Sequence, residues 1–215
     1  MDDLASPSVV AVLPRRWVLL WSWRSAATAI TVAVTVISCG VQSDDPEIPA
    51  DAHDAYTGRL EIIDAALGTW LHSTTLAEAQ VAAEAVANLV VGPNGPGYGD
   101  RNGDGYVSGV NAEGVLPGLD GTPVGLAEPL SGNECVRADV LGGPWVDPAA
   151  EWATMERAIE EWRPNRNTMP TLASHPMRVV GWATFTLEAT SVEAAHEYAG
   201  HARLHVDISR RAADC

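Results

Sequence analysis

The chain predicts an all-α fold: a bundle of four or five helices with a long glycine- and proline-rich loop inserted after the first helical hairpin. Three observations carry that prediction. Apolar residues recur at three- and four-residue spacing in several separate stretches. Helix-capping signatures stand where those stretches begin. Residues 92–146 break the pattern abruptly and hold most of the glycines in the chain.

The first helix is predicted from about Asp51 to His72. Tyr56, Leu60, Ile62, Ile63, Ala66, Leu67 and Trp70 fall on one arc, and Asp54, Glu61, Asp64 and His72 on the other. Thr75-Leu76-Ala77-Glu78 is a capping box, in which hydroxyl and carboxylate each satisfy a free backbone N–H. A second helix therefore spans about Leu76 to Val91. Only Ser73 and Thr74 separate the two, which makes them antiparallel neighbours.

The loop that follows carries the turn dipeptides Pro96-Gly97, Asp104-Gly105 and Asp120-Gly121. A stretch of this length without regular structure is either functional or disordered. Tyr98, Tyr106, Leu116, Leu126 and Val140 supply scattered apolar anchors, which favours an ordered loop lying over the helices. Asp147-Pro148 then sets an N-cap and a proline at the first helical position. Trp152, Met155, Ile159 and Trp162 make a stripe at helical spacing before Pro164 ends it. A fourth helix is read from Pro176 to Glu188, although Val179, Val180, Thr184 and Phe185 also suit a strand. Thr190-Ser191-Val192-Glu193 opens a last helix that runs to about Ala212.

At 215 residues and 47% hydrophobic, the chain has the length and apolar content for one domain with a substantial core. The formal net charge is −15, and all thirteen basic residues are Arg. Such an acidic balance excludes a nucleic-acid partner, because phosphate contacts need a basic face. It equally excludes electrostatic attraction to anionic lipid.

Membrane attachment is instead legible at the N-terminus. Arg15, Arg16 and Arg24 precede an uncharged run from Ser25 to Ile37, and Val36-Ile37-Ser38-Cys39 follows. This arrangement resembles the signal peptide and lipobox of bacterial lipoproteins. The resemblance implies removal of residues 1–38, acylation of Cys39, a tether over 39–51 and a helical domain over 52–215. The expected place is the extracytoplasmic side of the cell membrane, held by lipid. A retained transmembrane helix would bury Arg24 at a cost of roughly 2–3 kcal/mol. Arg15-Arg16 fits a twin-arginine signal poorly, flanked by Pro14 and Trp17. With Cys39 acylated, Cys135 and Cys215 are left to pair as a disulfide in an oxidising compartment, closing a loop worth roughly 4 kcal/mol at the upper end.

The chemical signal of the loop is Asp100-Arg101-Asn102-Gly103-Asp104-Gly105-Tyr106-Val107-Ser108. Calcium takes hard oxygens, and a tight loop offers them from alternate residues. Asp100, Asn102 and Asp104 stand at positions 1, 3 and 5, Gly105 at the turn, the Tyr106 carbonyl at 7 and Ser108 at 9. The stretch resembles the calcium loop of EF-hand and dockerin proteins. It departs at position 12, where Asn111 replaces an acidic residue, and it lacks flanking helices. Glu113 or Asp120 could supply the missing oxygen. Two carboxylates imply weak affinity, roughly 10⁻⁴ to 10⁻³ M, which suits a structural Ca2+ outside the cell. The competing reading is a solvated turn without an ion.

The last helix carries His196, His201 and His205. His196-Glu197 is no zinc-protease motif, because the next histidine is five residues on instead of four. His196 falls on the charged arc. His201 and His205 share the apolar arc at i, i+4 spacing, which could present two imidazoles to Zn, Cu or Fe. The competing reading makes them core-edge histidines bonded to carbonyl or hydroxyl partners. Trp70, Trp152, Trp162 and Trp182 read as core fillers. No catalytic constellation is legible. The expectation is a lipid-anchored binding or envelope-structural protein with a weak calcium site, and the alternative is a transition-metal bundle.

Overall fold

The computed structural model describes residues 50–162, 169 and 172–215. The expected signal peptide, Cys39, most of the tether and Pro164 lie outside them. Five α-helices form: α1 (Ala50–Leu71), α2 (Leu76–Val91), α3 (Pro148–Glu161), α4 (His175–Leu187) and α5 (Val192–Ala213). The fold is all-α, with no strand among the described residues. None of these helices is long and apolar enough to cross a membrane.

The starts of α2 and α3 are capped as the sequence predicts, but α5 is capped by Ser191 and not by Thr190, the first residue of the expected capping box. Thr75 and Glu78 form the reciprocal capping box of α2. Asp147 accepts the N–H of Ala150 at the head of α3, with Pro148 at its first turn. Ser174 and Ser191 cap α4 and α5 through their hydroxyls. Residues 176–188, where helix and strand were both compatible with the sequence, are helical to Leu187. The β-branched residues Val179 and Val180 are buried there as helix residues, so tertiary burial outweighs their strand preference.

α2 is the central element. It packs against α1, α4 and α5, and ten of its side chains from Ala79 to Val91 are buried. Alanine at 79, 82, 83 and 87 lets neighbouring helices approach closely. α1 contributes Tyr56, Leu60, Ile63, Leu67 and Trp70, a narrower stripe than the sequence arc suggests. Ile62 lies past its edge and is 55% exposed. Two polar tips tie α1 to α5: the Tyr56 hydroxyl donates to the Ser209 carbonyl and the Trp70 indole N–H to that of Ala195. Asp64 adds an ion pair with Arg203 and a second contact with Arg210.

The insertion is ordered and docks on the C-terminal end of α2. The N–H groups of Val115 and Leu116 both donate to the Val90 carbonyl, one of the acceptors a helix end leaves free. Leu116, Leu130, Val136 and Val140 are buried as anchors, but Tyr106 and Val107 face solvent. A 3₁₀ turn at Glu128–Leu130 and a π-helical turn at Val136–Leu141 add short regular pieces the sequence pattern does not announce. Trp152 of α3 donates its indole N–H to the Pro117 carbonyl, clamping the insertion from above. Cys135 and Cys215 lie at disulfide distance, with Cα atoms 6.2 Å apart.

Candidate functional site

The loop beginning at Asp100 is built outward from two polar residues of α2. Glu84 and Asn88 lie one helical turn apart and have no exposed surface. One Glu84 carboxylate oxygen accepts the backbone N–H of Ser108 (2.6 Å). The other accepts those of Arg101 (2.7 Å) and Asn102 (3.0 Å). The Asn88 amide donates to the carbonyls of Gly99 and Ser108, both at 2.8 Å. Its oxygen accepts the Gly99 N–H and the Arg101 Nε–H. Buried polar groups must be satisfied, and here both are satisfied wholly by the loop.

Arg101 points inward. Its guanidinium reaches the Pro96 carbonyl at 2.7 Å, and burial lowers its pKa to about 10 against the opposing pull of Glu84. The alternate residues turn the other way. Asp100 Oδ1 accepts the N–H groups of Gly103 and Asp104, and its Oδ2 that of Gly105. Asn102 Oδ1 accepts the Asp104 N–H and Asp104 Oδ1 that of Tyr106. The segment thus curls around its own first carboxylate while Asp100 and Asp104 face solvent.

Position 12 is the informative one. The Asn111 amide nitrogen donates to the carbonyls of Asn88 and Gly109, but its Oδ1 is buried without a hydrogen-bond partner. Glu113, two residues on, accepts the Gly125 N–H at 3.1 Å, and its backbone carbonyl receives the Arg59 guanidinium. Asp120 accepts the Thr122 N–H. The side-chain oxygens of Asp100, Asn102 and Asp104 are hard donors that each accept a backbone N–H, whereas Asn111 Oδ1 receives no hydrogen bond.

His201 and His205 take different partners. His201 stacks on Trp182, with ring centroids 4.4 Å apart and planes at 17°. His205 is 7% exposed and meets His175, the first residue of α4, with Nδ1 atoms 2.8 Å apart. At that distance one ring donates and the other accepts, so a single proton lies between the two Nδ1 atoms. Burial lowers the His205 pKa to about 3, helped by His175, Arg178 and His201. It also lowers that of His175, which Arg178 reinforces and Asp139 opposes. Among the described residues, no group of three or more His, Cys, Asp or Glu side chains is placed to hold a metal ion. His196, expected on the solvated arc, instead contacts the Ser73 carbonyl and hydroxyl.

No family model, curated protein or solved structure matches the chain. Function must therefore be read from the geometry. Sequence reasoning finds the alternate oxygens of the loop but passes over Glu84, Asn88 and Arg101, which position it. A signal was present: Glu84 and Asn88 are the polar interruptions of an otherwise apolar run from Val81 to Val91. An i, i+4 polar pair on a helix that is apolar all round points to a buried partner.

Proposed function

We propose that the chain is an extracytoplasmic binding or envelope-structural domain whose insertion is ordered by one weakly held calcium ion. Residues Asp100, Asn102, Asp104 and Asn111 supply side-chain oxygens, Tyr106 its carbonyl and Ser108 its hydroxyl, directly or through water. Glu113 braces the outgoing strand of the loop. The observation that carries this reading is the buried, unpartnered Oδ1 of Asn111 at the position where calcium loops place their last ligand. The ion would be structural, neutralising two carboxylates held close together. The lipobox supports attachment through Cys39, and export supports a compartment where weak calcium sites fill.

Thermal unfolding tests the ion. Millimolar calcium should raise the Tm by several degrees, by mass action on the folded state. The variant carrying Asp100→Ala and Asp104→Ala should lose that rise. A Tm indifferent to calcium and to chelator would overturn the reading. Mass spectrometry of the membrane fraction tests the anchor: a diacylated Cys39 at the mature N-terminus is expected, and Cys39→Ala should abolish membrane retention.

A further inference from the structure

An open groove of about 590 Å³ runs between α1 and α2, lined by Ala66, Thr69, Val81, Ala85, Ser108 and Gly109 among others. Ile62 stands one helical turn before Ala66 on the same face of α1 and is exposed. Across the groove, Tyr106, Val107 and Val110 flank Ser108 and Gly109, and all three are exposed. Among the described residues nine large hydrophobics are exposed, and five of them (Ile62, Val81, Tyr106, Val107 and Val110) line this groove or adjoin its lining. Isolated exposed hydrophobics need no explanation, but such a gathering marks a surface that meets something else.

The outward display of these side chains is built in. Ser108 is held to α2 at both backbone groups, its N–H by Glu84 at 2.6 Å and its carbonyl by Asn88 at 2.8 Å. Gly109 lies so close to Ala85 that an added Cβ would clash with its backbone. With 108 and 109 pinned, the side chains on either side have no route inward. The polar groups nearby are committed within the fold. The Glu78 carboxylate accepts the N–H groups of Thr74 and Thr75, and Asp100 and Asp104 accept those of their own loop. The groove therefore lacks the convergent polar groups of a small-molecule site. A second copy of the chain would bring another net charge of −15 against the same face. The interface of a bilayer fits, because it takes up aliphatic side chains and holds tyrosine at headgroup level. The chain outside the described residues puts a bilayer within reach. Cys39 precedes Ala50 by eleven residues, which span at most roughly 40 Å. Ala66 lies only about 24 Å along α1 from Ala50.

We propose that the groove and the Tyr106–Val110 segment form a bilayer-docking face, which enters the interface of zwitterionic lipid and lays α1 and α2 along the membrane. The proposal rests on the reading of Cys39 as a lipid anchor and adds the orientation in which the anchored domain is held. Zwitterionic lipid is the fitting surface, since an acidic protein is repelled by an anionic one.

Photo-crosslinking tests it on the full chain in phosphatidylcholine vesicles, with calcium present and a fraction of the lipid carrying a diazirine on its acyl chain. Mass spectrometry should find adducts on Ile62, Val81 and Tyr106–Val110 at least about fivefold above those on Val146 and Leu204. Those two are also exposed but do not line the groove. The variant carrying Tyr106→Ser, Val107→Ser and Val110→Ser should lose the adducts at Ile62 and Val81 by at least about fivefold. Circular dichroism establishes that it is folded. The proposal is overturned by adducts spread evenly over the exposed apolar residues, or by groove adducts that the serine variant leaves unchanged. It is equally overturned by a detergent-solubilised dimer that the same variant abolishes, which would give the face to a second copy. The state of Cys39 in the same samples separates the two readings. Acylated Cys39 without enriched groove adducts removes only the docking; enriched adducts on a chain unmodified at Cys39 remove only the anchor.

Discussion

Glu84 accepts the backbone N–H of Ser108 at 2.6 Å from a position on α2 with no exposed surface, and through its other oxygen it holds the start of the same loop. A buried carboxylate is tolerable because three backbone donors surround it. Glu84→Gln would replace one acceptor with a donor facing a donor. We expect a loss of roughly 2–4 kcal/mol, seen as a Tm lower by about 5–15 °C. Calcium affinity should fall in parallel. An unchanged Tm in this variant would mean the loop is not held through α2.

Gly109 has φ of +73°, and a Cβ there would press into the backbone of Ala85 on α2. Glycine is needed twice over, for conformation and for close approach. Gly109→Ala should cost about 1–3 kcal/mol and loosen the Ser108 contact, which hydrogen exchange at the 108 amide would report. Gly103→Ala, at a comparable φ of +74° but with open space around it, should be milder.

The His175–His205 pair predicts a pH dependence. Unfolded histidine titrates near 6.5, whereas His205 is lowered to about 3 in the fold. The unfolded chain therefore binds more protons than the native one between these values, so stability falls as pH drops from about 6.5 toward 3 and is fully present above that window. By pH 5 the loss from this residue is at most about 2 kcal/mol, less any solvent screening. Urea unfolding at pH 7 and pH 5 measures it. His205→Gln should flatten that difference, and a parent protein equally stable at both values would contradict the arrangement.

Cys135 and Cys215 lie 80 positions apart in sequence. Linking them removes unfolded-state entropy worth up to about 4 kcal/mol. Reductant should lower the Tm of the parent and leave a Cys135→Ser, Cys215→Ser variant unmoved. Mass spectrometry under non-reducing conditions establishes the pairing directly.

The helices were legible because their signals are local. Thr75 and Glu78 announce α2 from three residues apart, and the stripe of α3 needs no knowledge of the rest of the chain. The alternate oxygens of 100–108 are equally local. What could not be read were relations across the fold. His205 pairs with a histidine 30 residues away on another helix, not with His201 on its own. Tyr106 looks like an anchor by type but is 77% exposed, because the curl of the loop turns it outward. The π-helical turn at Val136–Leu141, which buries Val136, Val140 and Leu141, has no periodic signature.

Burial of Glu84 and Asn88 also bears on how far this protein can be shortened. A minimal bundle in which a brief linker replaces residues 92–146 would open the Glu84–Asn88 face of α2, with its apolar neighbour Val91, to water. The two polar side chains can be solvated there and the apolar ones cannot, so such a trimmed chain should aggregate or fail to accumulate. Changing Glu84 and Asn88 together to leucine in the same truncation should worsen this, because it enlarges the apolar surface left bare.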